Sequence, residues 1–86
     1  MDINELIAIV KKRIQNQIDI QDIVIEDKSF LHKNHFTNQK GKFHLKINLK
    51  SDELKNISRI EGNKKIYKAL DKEIKEYIHS IQILIT

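Results

Sequence analysis

The sequence predicts a two-layer α+β domain, ordered helix, strand, strand, helix, strand, with the helices covering one face of a three-stranded sheet. Three observations carry that expectation. Apolar residues near the start recur at helical spacing, a central segment alternates strictly between apolar and polar, and a closing segment alternates again after a second helical stretch. With 86 residues the chain has room for one domain, taken here as residues 1–86. A chain this short buries about 60–65% of its unfolded surface, so it depends on one compact core.

The elements follow in order. Ile3, Leu6, Ile7, Val10, Ile14 and Ile18 fall on one helical face, placing the first helix at residues 3–17. Asp2 and Glu5 have the spacing of a capping box, in which each side chain satisfies an unpaired amide at the helix start. "IDIQDIVIED" is β-branched, with Ile23 and Ile25 on one face, and reads as strand one. In "KFHLKINLKS", Phe43, Leu45, Ile47 and Leu49 alternate with His44, Lys46, Asn48 and Lys50. That pattern gives strand two a core face and a solvent face, suits antiparallel pairing, and sets His44 on the exposed side. Gly41 suits the turn before it, and "SDEL" reads as a polar connector after it. Ile66, Leu70, Ile74 and Tyr77 or Ile78 mark one second helix, beginning at a Ser58–Glu61 capping box or later, at Gly62 and Asn63. In "IHSIQILIT", His79, Ile81, Ile83 and Ile85 share one parity.

Composition narrows the chemistry. Hydrophobic residues make up 40% and charged residues 33%, a globular balance; aromatics are few and Trp is absent, so isoleucine must fill most of the core. Without cysteine there are no disulfides or thiolate metal sites, and histidine is the only soft ligand type present. Net charge is +4, and fourteen of the sixteen basic residues are lysines in a chain rich in Ile and Asn. A solvated lysine surface is the plain reading of that excess, and an acidic partner the sharper one. The N-terminal stretch does not read as a secretory signal, and no segment approaches the ~20 apolar residues of a membrane span. A cytoplasmic protein is expected, or a mitochondrial or other organellar one if a precursor segment precedes it. No enzyme is expected. Ser29, Ser51, Ser58 and Ser80 lack a nucleophile elbow, and Gly41 and Gly62 alone cannot form a phosphate-binding loop.

The histidines remain. "DKSFLHKNHFTNQKGKFH", from Asp27 to His44, carries His32, His35 and His44, and no acid occurs between Lys28 and Ser51. His79 follows the second helix. Neutral imidazole binds iron, zinc and copper through one ring nitrogen while a hydrogen bond orients the other. The plain alternatives are a helix-end dipole partner for His79, an exposed strand residue for His44 and a solvated loop for His32 and His35.

Four short pieces in this order resemble the BolA family across nearly the whole chain. Asp27, Ser29 and His32 stand in "DKSFLH"; His44 and Leu45 open "HLKINLKS", which Ser51 closes; Ile66, Tyr67 and Leu70 stand in "IYKAL"; Ile78, His79 and Ile81 stand in "IHSI". The resemblance implies a three-stranded mixed sheet of the class II KH-like (BolA-like) fold. KH domains clamp nucleic acid with a Gly-x-x-Gly loop, which this chain lacks. Many members carry Arg-His-Arg where this chain has Gly62, Asn63 and Lys64, and a Phe where Leu54 stands. Many also have a short tail beyond the last strand, where this sequence stops at Thr86.

The resemblance also implies a partner, a monothiol glutaredoxin, with which a BolA protein forms a heterodimer bridged by a two-iron, two-sulfur cluster. Glutaredoxin and glutathione supply the sulfur ligands. The BolA side supplies the histidine before the last strand, here His79, and a His or Cys from the connection between strands one and two. Lacking Cys, this chain would use His32 or His35, of which His32 matches the family position better, with His44 an alternate close by. The isolated chain is expected to be a monomer or weak homodimer, without a cofactor and without membrane contact. The rival reading is a DNA-binding transcriptional or stress regulator. Lys33, Lys40, Lys42, Lys46, Lys50, Arg59, Lys64 and Lys65 form the candidate partner or nucleic-acid surface. A third reading is a zinc-binding or purely structural adaptor built on the same histidines.

Overall fold

The computed structural model describes residues 2–29 and 43–86. Its elements are α1 (Ile3–Gln17), β1 (Asp22–Asp27), β2 (Phe43–Lys50), α2 (Asp52–Lys55), α3 (Arg59–Ala69), α4 (Asp71–Glu76) and β3 (Ile78–Ile85). The strands lie in the order β1-β2-β3, with β1 antiparallel to β2 and β3 parallel to it. The sheet is therefore mixed, and α2, α3 and α4 form the crossover that a parallel neighbour requires.

α1 begins where the carboxylate of Asp2 accepts the Glu5 amide at 2.9 Å. It covers the predicted span and buries Leu6, Val10 and Ile14. Ile18, the next residue on that face, is buried just past its end. Beneath the helices the sheet presents rows of branched residues: Ile25, Ile47 and Ile83 form one, and Ile23, Leu49 and Ile85 another. These rows join Ile66 and Leu70 in a single apolar cluster, in which isoleucine does the filling that scarce aromatics leave to it. Among the described residues no helix covers the other sheet face. Val24, Asn48 and Leu84 form one row there, and Val24 and Leu84 are about half exposed.

Two segments differ from the sequence expectation. "SDEL" is a one-turn helix rather than a plain connector, because the Ser51 hydroxyl accepts the Leu54 amide at 3.2 Å. The same hydroxyl donates to the Asp19 carbonyl at 2.7 Å, and Leu54 fills the core position at which the resemblance expects Phe. The second helix is two helices. Ser58 caps it by accepting the Glu61 amide at 3.1 Å, which fixes the earlier of the two candidate starts. The chain then bends at Leu70, with φ −105° and ψ 15°. Leu70 still donates to Ile66 and accepts from Ile74, so hydrogen bonding continues through the bend. Gly62 lies inside α3 and lets that helix approach β3: a Cβ there would sit 3.2 Å from Ile85 Cδ1. Among the described residues no helix is long and apolar enough to cross a membrane.

Ser51→Ala removes both hydroxyl bonds beside a fully buried side chain. It should lower the unfolding free energy by about 1–3 kcal/mol in a urea titration. Gly62→Val adds branched bulk against Ile85 and should cost about the same. Midpoints unchanged from the parent would show that neither contact holds α2 or α3 in place.

Candidate functional site

The site begins as a counting mismatch between two strands. Phe43 pairs with Ile78, yet its neighbour His44 pairs with Ser80. β3 thus advances two residues while β2 advances one, and His79 is the surplus residue of a β-bulge. The bulge reverses parity. Ile78 faces the helices with Ile81, Ile83 and Ile85, although its number differs from theirs by an odd count. The expectation that His79 shares the row of Ile81, Ile83 and Ile85 is therefore corrected: His79 is exposed at the start of β3, its ring beside that of His44.

His44 requires a second correction. It lies on the helix-free face, as the alternation says, but is only 4% exposed. Several contacts with described residues hold it. The His79 ring packs edge-on against it, with centroids 4.9 Å apart at 61°. Its Nδ1 lies 2.6 Å from Ser80 Oγ. At the end of β1, Asp27 accepts the Ser29 amide at 2.9 Å, Ser29 Oγ accepts the His44 amide at 3.1 Å, and the Lys28 amide donates to the His44 carbonyl at 2.7 Å. Asp27 and Ser29, which sequence reading noted as pieces of a pattern, thus fasten the β1 end to His44. Ser80 was missed because its role depends on the register across the bulge.

The arrangement suits metal chemistry. With metal–nitrogen bonds of about 2.1 Å, two imidazoles on one tetrahedral ion hold their ring centres on the order of 5 Å apart, which is the spacing of His44 and His79. In the tautomer where His44 Nδ1–H donates to Ser80 Oγ, Nε2 keeps its lone pair for a ligand. Beside the pair, Lys28, Lys46 and Gln82 help line a depression of about 300 Å³ that also admits His44 and Ser80. Glu26 lies 3.9 Å from the Lys28 ammonium. Among the described residues no group of three His, Asp or Glu side chains is placed to hold an ion.

The remaining candidates divide. His32, His35, Lys33, Lys40 and Lys42 lie outside the described residues. Lys46 and Lys50 lie on β2 in the same helix-free face as His44. Arg59, Lys64 and Lys65 are exposed on α3, in the helix layer, so the expected basic surface falls on two sides of the molecule.

Comparison with known proteins gives concordant results. A family model described as BolA-like protein matches residues 14–86. The DNA-binding transcriptional regulator BolA of Haemophilus influenzae is 28% identical over 75 residues, covering 87% of this chain and 70% of that protein. The BolA domain of SufE1 from Arabidopsis thaliana superposes with a TM-score of 0.78 at 20% identity, covering 100% of this chain and 93% of that one. BolA1 from the same plant gives 0.74 at 18% identity, covering 91% and 86%.

The burial contrast separates the two rings experimentally. His79→Ala should change the unfolding free energy by less than about 0.5 kcal/mol, whereas His44→Ala should cost about 1–3 kcal/mol. Equal losses in urea denaturation would make His79 a packing residue.

Proposed function

The chain belongs to the BolA-like family, and from that premise we propose that it works without catalytic chemistry of its own, as the partner of a monothiol glutaredoxin. The two proteins would share a bridging two-iron, two-sulfur cluster, in iron–sulfur cluster trafficking or assembly or in iron regulation. The observation that carries this reading is the bulge: it frees His79 from the core row and holds its ring, exposed, 4.9 Å from a second imidazole. Glutaredoxin and glutathione would supply the sulfur ligands and His79 a nitrogen. The second nitrogen comes from His32 or His35, with His44 as the alternate; His44 is the one of these three among the described residues.

Imidazole ligation has definite consequences. Histidines in place of thiolates raise the reduction potential of such a cluster, and the ligating nitrogens must be unprotonated, so assembly responds to pH. Ser80 contributes by holding the His44 ring in one orientation. Lys28 and Lys46 place positive charge beside the pair, which suits an anionic cluster, glutathione or an acidic partner surface.

A second reading, a nucleic-acid-binding regulator, is favoured by the name of the Haemophilus influenzae relative and by Lys46 and Lys50 on the helix-free face. Direct base readout draws heavily on arginine, and Arg13 and Arg59 are the only two in the chain.

Mixing the protein with a monothiol glutaredoxin, iron, sulfide and glutathione should give a heterodimer with a visible circular dichroism spectrum. His79→Ala should abolish that spectrum, and His32→Ala, His35→Ala and His44→Ala made singly should identify the second ligand. A spectrum unaltered by His79→Ala overturns the assignment. Tight duplex binding that falls steeply with salt and ignores His79→Ala would favour the regulator instead.

A further inference from the structure

Among the described residues only β2 pairs with β3, which leaves β3 at one edge of the sheet. Its backbone directions follow from its end. The Thr86 amide donates to the Leu49 carbonyl at 2.9 Å, and the Thr86 carbonyl accepts the Ser51 amide at 3.2 Å. Both groups of Thr86 thus face β2, and in a parallel ladder that direction alternates residue by residue. The backbone groups of Gln82 and Leu84 therefore face β2 as well. The N–H and C=O of Ile81, Ile83 and Ile85 point to the outer edge, where no described group pairs with them.

Sheet edges are commonly guarded by charges or proline, which make the approach of another strand costly. The opposite edge, β1, follows that rule, with Asp22, Glu26 and Asp27 among its six residues. β3 does not. From Ile78 to Ile85 it holds no Lys, Arg, Asp, Glu or Pro, and its bulge lies at His79, ahead of the outward-facing run. Its side chains are also incompletely covered: Ile81, Ile83 and Ile85 face the helices yet are only partly buried, and Leu84 is exposed on the other face. An apolar edge of this kind takes up a further strand, and charge selects which strand. Pairing β3 with the β1 edge of another copy would lay its acids beside the isoleucine rows and, being head-to-tail, need not close. Pairing β3 with a second β3 sets no charge against another and closes at two copies, with the acidic β1 edges outermost.

We propose that two copies of this chain associate by antiparallel pairing of β3 with β3, about a two-fold axis at Ile83. Ile81 exchanges both backbone bonds with Ile85 of the second copy, and Ile83 with its own counterpart, so every outward amide and carbonyl of that run finds a partner. On the helix-free face Gln82 lies opposite Leu84 of the second copy. On the helix side the partly buried isoleucine rows of the two copies meet and continue one core into the other. The ladder stops short of His79, and the proposal rests on neither the cluster reading nor the regulator reading.

Sedimentation of the full chain alone, from about 5 μM to about 1 mM, tests this. A monomer–dimer equilibrium with no larger species is expected. Over the same range amide hydrogen exchange should slow at Ile81, Ile83 and Ile85, while the amides of Gln82, Leu84 and Thr86 stay protected throughout. Gln82 and Leu84, both exposed, test the register. Gln82→Lys with Leu84→Lys sets lysine against lysine across the interface and should weaken dimerisation about tenfold or more. Gln82→Lys with Leu84→Glu sets lysine against glutamate and should restore it. Circular dichroism matching the parent shows that both variants fold; if either does not, exchange in the parent chain decides. A chain that stays monomeric up to about 1 mM overturns the proposal. So does a dimer without slowed exchange at Ile81, Ile83 and Ile85, one that the double lysine substitution leaves intact, failure of the lysine–glutamate variant to dimerise better than the double lysine one, or growth past two copies.

Discussion

Because β3 holds one residue more than the part of β2 it pairs with, the strand can bury Ile78 and the row of Ile81, Ile83 and Ile85 on the same side of the sheet. A strand of unbroken period two would send one of those groups to the helix-free face. Ile78 is almost fully buried, and exposing such a side chain costs about 1.5–3 kcal/mol. The core therefore selects the bulge, and the residue that the bulge sets aside is His79. The position of the exposed imidazole is a by-product of packing on the opposite face, which makes it as well determined as the core.

The two rings then differ in kind. His44 is held through its ring by Ser80 and through its backbone by Ser29 and Lys28, all within a central strand paired on both sides. His79 leans on His44 yet stays open to solvent. One ring is thus a fixed inner group and the other an accessible outer one. The helix layer is anchored at the far end of β2, where the Ser51 hydroxyl joins the α1–β1 connection to the start of α2 and the Ser51 amide donates to the Thr86 carbonyl.

Most of the fold was legible because its elements carry strong local signals. The span of α1 followed from apolar spacing and the Asp2 cap, and β2 from strict alternation. The bend at Leu70 was not legible, since neither Gly nor Pro marks it and the hydrogen bonds continue through it. The helix at Asp52–Lys55 had a local sign in its Ser51 cap, outweighed by the polarity of the segment. Around the histidines, the place of His79 just after the helices was readable, while its departure from the row of Ile81, Ile83 and Ile85 and the burial of His44 were not, because His44 is held by groups 15 and 36 residues away. The bulge did leave a trace: the apolar positions 78, 81, 83 and 85 cannot share one parity. The split of the basic residues between two sides follows from their assignment to β2 and α3, which charge counting does not see.

Parallel pairing of β3 with β2 also governs when the imidazole pair comes into being. His44 and Ser80 are joined only after a helical crossover of more than two dozen residues has closed, and such distant pairings form late relative to local ones. A partly folded chain whose last strand has not docked can form α1 and the β1–β2 ladder, yet its two rings are not paired. The pairing of the two rings therefore arrives together with the finished sheet.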